Sequence, residues 1–468
     1  MDAAPPLDER QANTPRFVTG STFRHVVVMT ATSSIGLIAI FVVDLLSLLY
    51  VSWLGDPRLT AGVGLATVVF FLTTSINVGL MIAVAALVSR ALGAREQERA
   101  RRLATTSCIH AVLASAVITV AILPLLPLIL RLIGASPETL DVAYVFLLIT
   151  MPSNVLMALG MALSSVLRAA GDAKRSMYVT LAGAIVTAVL DPILIFGLGL
   201  GVHGAAIATV ISRVVFAYVG FHGVWKVHRL LGRPTLREVI ADARPMYGIA
   251  IPAILTNVAA PVATAIFVAI LARYGDKAVA ATAIIDRVTP VAFGGLFALS
   301  GAVGPILGQN WGAGRFDRMR QALRDSVVFM TAYVLAVWLV LALLRGPIVE
   351  LFHAEGLTAE LVAFFCLISG AMWYFIGLVF VANASFNNLG APLLSTAFNW
   401  GRATLGMVPF ALLGAHLAGP HGALVGIGLG SVPFGIAAIV TAFWTIRRLE
   451  RQAGINAAGP VSKGAPAG

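Results

Sequence analysis

The sequence predicts an all-α membrane protein: twelve transmembrane helices in two six-helix lobes, related by a pseudo-twofold axis along the membrane normal. Three observations carry this reading. Of 468 residues, 59% are hydrophobic and only 11% charged, with a mean hydropathy of +0.92. Soluble domains average about a quarter charged residues, so this chain lacks the polar coat of a cytosolic enzyme, a nucleic-acid binder or a disordered protein. The apolar residues come in runs of about twenty or more, not in alternation, which excludes an outer-membrane barrel. Finally, the second half of the chain repeats landmarks of the first.

Taken in order, the apolar stretches lie near 25–53, 60–89, 103–132, 138–167, 176–200, 203–225, 246–272, 278–308, 325–345, 359–386, 393–416 and 420–446. At about 35–40 residues for a span and its loop, the length accommodates roughly twelve. The breaks carry turn chemistry: Gly55-Asp56-Pro57, Gly134-Ala135-Ser136-Pro137, Gly275-Asp276 and Gly390-Ala391-Pro392. The ends, 1–20 and 452–468, are rich in Ala, Gly and Pro and read as disordered. Residues 1–20 hold no apolar run, so the first span is expected to remain as an anchor and not to be cleaved as a signal peptide. The resulting division is a tail at 1–24, an N-lobe at 25–230, a linker at 231–245, a C-lobe at 246–448 and a tail at 449–468.

Basic residues fix the expected orientation. Of 32 Lys and Arg, 24 fall on one side, including Arg90, Arg95, Arg99, Arg101 and Arg102, the 226–244 cluster, and Arg315, Arg318, Arg320 and Arg324. The other side holds Arg58, Arg131, Arg273, Lys277 and Arg345. Both termini are therefore expected in the cytoplasm of a bacterium, with the protein in its inner membrane. The net charge of +11 reads as anchoring against an anionic leaflet and not as nucleic-acid binding. Cys108 and Cys366 lie far apart in apolar runs and read as small core residues without metal spacing.

The repeat is visible residue by residue. Leu54-Gly55-Asp56 returns as Tyr274-Gly275-Asp276, and Gly93-Ala94 with Arg99 and Arg101 returns as Gly312-Ala313 with Arg318 and Arg320. His203-Gly204-Ala205 returns as His421-Gly422-Ala423, and Pro192 as Pro409. The offsets drift from 220 to 217, as duplication followed by single deletions would give. Six spans per repeat bring both halves into the membrane from the same side, and such interfaces house substrate paths in many secondary transporters.

At these residues the chain resembles the multidrug and toxic compound extrusion (MATE) family, in its DinF-like branch. Three stretches carry the resemblance: Leu54 through Arg102, Asp191-Pro192-Ile193 followed by Gly204 to Thr209, and Gly308-Gln309-Asn310-Trp311-Gly312-Ala313-Gly314-Arg315 with Asp317-Arg318. The resemblance implies two lobes forming a V and antiport of small amphipathic, often cationic compounds against H+ or Na+, the proton being favoured. It implies no organic cofactor and no enzymatic activity, and a monomer in the lipid bilayer is expected.

Ionised acids near mid-bilayer cost about 2.5–3.5 kcal/mol each, and three occur here: Asp44, Asp191 and Asp286. Asp44 sits in the first span with Ser47 one turn later. A straight count from Gly55 places the family's first-helix acid on Ser47, so the carboxylate stands a turn earlier here. Thr180, Thr187 and Asp191 share a face at spacings of seven and four. The resemblance places an Asn where Thr187 stands and a site threonine at Thr209. These residues are the expected ion-coupling set, with Na+ an alternative at Asp44 and Asp191; an Asp191-Pro192 that simply caps a kink is the structural alternative. Asp286 and Arg287 read as a buried ion pair. Asn77, Asn154 and Thr180 are candidates for the substrate path, the two amides also for helix–helix glue. Arg213 and Arg402 read as snorkelling near span ends, and His203 and His421 as interfacial turn residues. Pro252 keeps a family proline that Thr32 replaces in the first repeat, which argues against a first helix that bends at proline.

No Walker loop, His-Glu-x-x-His or nucleophile elbow appears. Two rivals to a drug exporter remain: a flippase for lipid-linked precursors, which would have a more basic cavity, and an intramembrane lipid-modifying enzyme, which would need a clustered His, Cys or carboxylate site.

Overall fold

The computed structural model describes residues 15–457, and these are helical with no strand among them. The first nine spans are α1 (Thr22–Ser52), α2 (Pro57–Gly93), α3 (Gln97–Leu132), α4 (Pro137–Ala169), α5 (Ala173–Gly197), α6 (Gly201–Val227), α7 (Leu236–Tyr274), α8 (Asp276–Gly312) and α9 (Phe316–Leu343). In α10, Leu357–Leu367 continues through a break at Ile368 into Ser369–Asn388. The remaining apolar segment, Pro392–Gly454, is too long for one span at 63 residues. It breaks at Ala418 (φ −140°) and Gly419 (φ 60°), giving α11 (392–417) and α12 (420–457). The predicted twelve spans are therefore present.

Local chemistry sets the helix ends. Asp56 and Ser136 cap α2 and α4, each with proline in the first turn. Gly134 and Gly275 turn the chain at φ 95° and 90°, which side chains disfavour. Thr235 and Glu238 form a reciprocal capping box that starts α7. The expected 231–245 linker is thus shorter: the cap is satisfied at Thr235, and helix begins at Leu236. The expected disorder at 1–20 also needs correction, because Pro15–Ser21 is a packed turn with Phe17 buried. At the other end α12 runs to Ala457. Residues 1–14 and 458–468 lie outside the described part.

Asp172 caps α5 and joins the 228–235 strand of chain to the N-lobe. It accepts hydrogen bonds from the Arg175 amide and guanidinium, and lies 2.9 Å from His228 Nε2. Burial works against its charge, but the His228 and Arg175 contacts outweigh burial and hold the carboxyl well below the usual carboxylate range.

The N-lobe core is split into two apolar clusters. One, around Leu80, Val84, Val166 and Leu167, lies toward the basic-loop face. The other, around Val69, Leu130, Leu147 and Ile195, lies toward the opposite face. Between them runs a belt of polar residues. The C-lobe core is one continuous cluster, and it extends onto Phe17, Val26 and Met29 from the start of the chain.

The halves meet at the face carrying the basic loops, through α2 against α7 and α8, and α1 against α8. The contact follows the repeat. A Cβ on Gly93 would lie 2.0 Å from the Gln309 carbonyl oxygen, and a Cβ on Gly312 would lie 2.1 Å from that of Arg90. Arg90 and Gln309 are themselves repeat partners, so the crossing is pseudo-symmetric. Arg90 stacks 3.6 Å from the Trp311 ring centroid and donates to the Asn388 carbonyl. Deeper, Gly79 admits Ile254 of α7. Among the described residues, every hydrogen bond joining the two halves lies on this face. They include Phe17 N–H to Gln309 Oε1 at 2.9 Å, Gln309 Nε2 to the Ala169 carbonyl at 2.6 Å, and Arg102 and Thr106 to Asp242.

Two outcomes follow from these contacts. Gly93→Leu inserts a side chain against rigid backbone, so the seam cannot close. Spin labels at positions 174 and 315, in a chain lacking Cys108 and Cys366, should report a longer interlobe distance than in the glycine parent; an unchanged distance would show that the seam tolerates the wedge. Asp172→Asn should lower the melting temperature at neutral pH. Because the folded carboxyl is held below its unfolded value near 3.9, the deficit should be full above about pH 4 and fade as pH falls through the folded pKa. Thermal unfolding from pH 7 to pH 3 reads this, and a pH-independent deficit would contradict it.

Candidate functional site

The polar belt of the N-lobe draws on five helices. Asp44 and Ser47 come from α1, Asp191 from α5, Arg213 from α6, Phe70 and Asn77 from α2, and Thr150, Ser153 and Asn154 from α4. Asp191 is buried, and the Ser47 hydroxyl donates to its Oδ2. The sequence anticipates both residues, and the structure brings them together across two helices. Pro192 follows and supplies no N–H; the next turn, Ile193–Gly197, widens into a π-helix. Asp44 stands one turn from Ser47 on α1, within electrostatic reach of both Asp191 and Arg213, and its side chain is accessible from the surface. It lies eight residues from Ser52, about 12 Å from the end of α1 at 1.5 Å per residue. The acids therefore sit in the half of the membrane away from the interlobe seam.

Arg213 is the cation of this belt. It does not snorkel, as its sequence position suggested. It lies near the middle of α6, where its guanidinium donates to the Thr150 carbonyl and to Ser153 Oγ, both at 3.0 Å. Its carbon lies 4.9 Å from the Phe70 ring centroid. No carboxylate lies within 4.0 Å of it among the described residues, so it faces the acids as a charge at a distance and not as a paired ion. Thr150 and Ser153 are exposed to this role by the 3-10 turn at Met151–Ser153, where Pro152 interrupts α4. That interruption was the available sequence signal for them, and it was missed.

The remaining candidates divide. Thr180, Thr187 and Thr209 each return their hydroxyl to their own helix, at Ser176, Gly183 and Ala205. Thr187 and Thr209 stand one turn from Asp191 and Arg213, whereas Thr180 packs against Gly36 of α1, and none of the three donates to Asp191. Asn77 Nδ2 donates to Asn154 Oδ1 at 3.0 Å, and Asn154 donates to Ser115 at 2.9 Å, so this chain of buried amides ties α2, α4 and α3 together. Asp286 and Arg287 do not form the expected ion pair: both are exposed on α8 and no bond joins them. Consecutive helical residues point about 100° apart, so i and i+1 do not face each other. α1 is unbroken at Thr32, whose hydroxyl donates to the Val28 carbonyl, whereas α7 contains Pro245, Pro252 and Pro261. Cys108 and Cys366 are buried and free.

By the repeat offsets Asp44 and Asp191 correspond to Thr264 and Val408, so the C-lobe lacks their acids, and its own polar cluster is built of amides. Asn383 and Asn387 of α10 accept from Asn399 and Ser395 of α11 at 3.0 and 3.1 Å. Next to them, Arg402 is buried in a π-helical turn, and its Nε has no hydrogen-bond partner. Asn383 and Asn387 stand one turn apart in an apolar span, a spacing the sequence displays.

The MatE family profile matches residues 33–193 and 252–413, one stretch in each half of the chain. The chain belongs to the MatE family. A FAD transporter of Shewanella oneidensis is 29% identical over 87% of this chain and 92% of its own length. The multidrug export protein MepA of Staphylococcus haemolyticus is 26% identical over 81% of this chain and 85% of its own. Among solved structures, a mutant of the Vibrio cholerae MATE transporter VcmN superposes with a TM-score of 0.87 at 25% identity, covering 92% of this chain and 99% of that one. The protein is thus a multi-pass MATE transporter and not an enzyme, with efflux proteins among its relatives.

The geometry makes one energetic prediction. Arg213→Met leaves the Thr150 carbonyl and Ser153 without their donor and Asp44 without its nearest cation. It should lower the melting temperature of purified protein, and adding Asp44→Asn should restore part of the loss, with a coupling of about 0.5–3 kcal/mol. Strict additivity would show that Asp44 and Arg213 do not sense each other.

Proposed function

We propose that this protein is a proton-coupled antiporter that exports small amphipathic, often cationic compounds across the inner membrane of a bacterium. The observation that carries this is the N-lobe trio of Asp44, Asp191 and Arg213. With both acids ionised the trio carries one net negative charge. One proton or one monovalent cation neutralises it, so the two compete for a single charge deficit. Taking the basic loops as cytoplasmic, the seam closes the cytoplasmic side and the acids face the outer half of the membrane. Protons from outside reach Asp191 and Asp44 in this state, and the bound cation leaves. Reopening at the seam exposes the belt to the cytoplasm, where the proton departs and a new substrate enters. Ser47 serves either form of Asp191: its hydroxyl donates to the carboxylate and accepts from the carboxylic acid.

Support for the class of cargo comes from the MepA-type relatives. A second reading has its own observation. Arg402 presents an unpaired, buried guanidinium in the C-lobe, which suits a phosphate-bearing cargo, and one relative is a FAD transporter.

Reconstituted vesicles separate the possibilities. With an imposed proton gradient, wild-type protein should drive uptake of a quaternary ammonium dye at least tenfold above protein-free vesicles, and Asp191→Asn and Asp44→Asn should each abolish it. Uptake that follows only a sodium gradient would replace the proton with Na+. Uptake of FAD that depends on Arg402, with no dye transport, would replace the cationic cargo with an anionic one.

A further inference from the structure

Outside the acid belt, a cleft of ≈ 510 Å³ opens on the basic-loop face of the C-lobe. It lies between the start of α9 and the end of α12 and is lined by Arg320, Arg324, Arg447, Glu450 and Arg451. Arg320 and Glu450 pair across it and hold its walls. Arg324, Arg447 and Arg451 have no carboxylate within 4.0 Å among the described residues, so the cleft carries an uncompensated charge of three guanidinium groups. Beneath it Leu323 and Ile446 are fully buried.

The same place in the N-lobe is filled. By the repeat offsets, Arg320 and Arg324 correspond to Arg101 and Thr105, and Arg447, Glu450 and Arg451 to Arg229, Gly232 and Arg233. There α6 ends in a π-turn at Gly223–Val227, and the extended chain folds back. The Arg101 guanidinium donates to the Arg229 carbonyl at 2.9 Å, and the Gly232 N–H donates to Thr105 Oγ1 at 2.8 Å. In the C-lobe, α12 continues as helix to Ala457 and leaves the position open. Residues 458–468 bring no acidic side chain to balance it.

The surroundings select the ligand. Trp444 is exposed on α12 with Arg448 one turn on and 5.7 Å from its ring, and Trp beside basic residues at the end of a span is the pattern of a membrane interface. Toward the membrane centre, the exposed Val328 of α9 and Val440 and Ile436 of α12 continue the cleft as apolar surface. We propose that this cleft binds the phosphate headgroup of an anionic phospholipid, with the acyl chains lying along α9 and α12.

The test is native mass spectrometry of the full chain in detergent, titrated with phosphatidylglycerol or phosphatidylcholine. Wild-type protein should retain phosphatidylglycerol at least fivefold more than phosphatidylcholine. The exposed substitutions Arg324→Gln and Arg451→Gln, each removing one headgroup contact, should lower that preference several-fold. Arg233→Gln, at the filled counterpart of Arg451, should leave it unchanged, and melting temperatures in lipid-free detergent should match throughout. Equal retention of the two lipids, or a preference unaltered in both cleft variants, would overturn the proposal. Competition by inorganic phosphate at equal headgroup concentration would make it a soluble-anion site. A preference that emerges only after removal of residues 1–14, which carry Asp2, Asp8 and Glu9, would make the chain's own acidic end the occupant.

Discussion

The cost of holding charge away from water governs this molecule. An ionised acid at mid-bilayer costs about 2.5–3.5 kcal/mol on insertion scales, and the N-lobe holds Asp44 and Asp191 with one arginine. The fold accommodates them by interrupting its own core. Two apolar clusters lie above and below; in the belt between them the proline-interrupted turn of α4 offers the Thr150 carbonyl and the Ser153 hydroxyl to the guanidinium, and α5 widens into a π-turn after Asp191. Such a belt is stable only while each member is satisfied or neutralised. In the proposed antiport, that condition is what couples protonation to the presence of another cation.

The second constraint is where the lobes touch. Gly93 and Gly312 exist as glycines because repeat-related backbones cross within contact distance there. The close crossing concentrates the interlobe hydrogen bonds on one face, and Pro15–Ser21 is drawn into the same seam through Phe17 and Arg318. The seam lies on one side and the acids in the other half of the membrane, so the belt is set apart from the interlobe contacts.

Much of this was legible in the sequence. Span number and lobe pairing follow from hydropathy and the repeat, which record burial in lipid and duplication directly. The partnership of Asp191 with Ser47 was within reach because both stand out as polar residues in apolar helices. Three things were not legible. Whether Arg213 reaches the interface or turns inward depends on Phe70 and on carbonyls freed near Pro152, which lie on other helices. The failure of Asp286 and Arg287 to pair follows from helix geometry that adjacency in sequence conceals. The open cleft beside Arg324 emerges only when the ends of α6 and α12 are compared in space, because both repeats carry similar basic residues there.

The central claim is that the N-lobe acids exchange a proton for a cationic cargo. Its most direct measurement is proton release from detergent-purified protein on addition of a cationic substrate in weakly buffered solution between pH 6 and 8. Wild-type protein should release close to one proton per substrate bound, Asp191→Asn should release none, and Asp286→Asn should behave as wild type. Release that survives in Asp191→Asn and Asp44→Asn but is lost in Asp286→Asn would contradict the account.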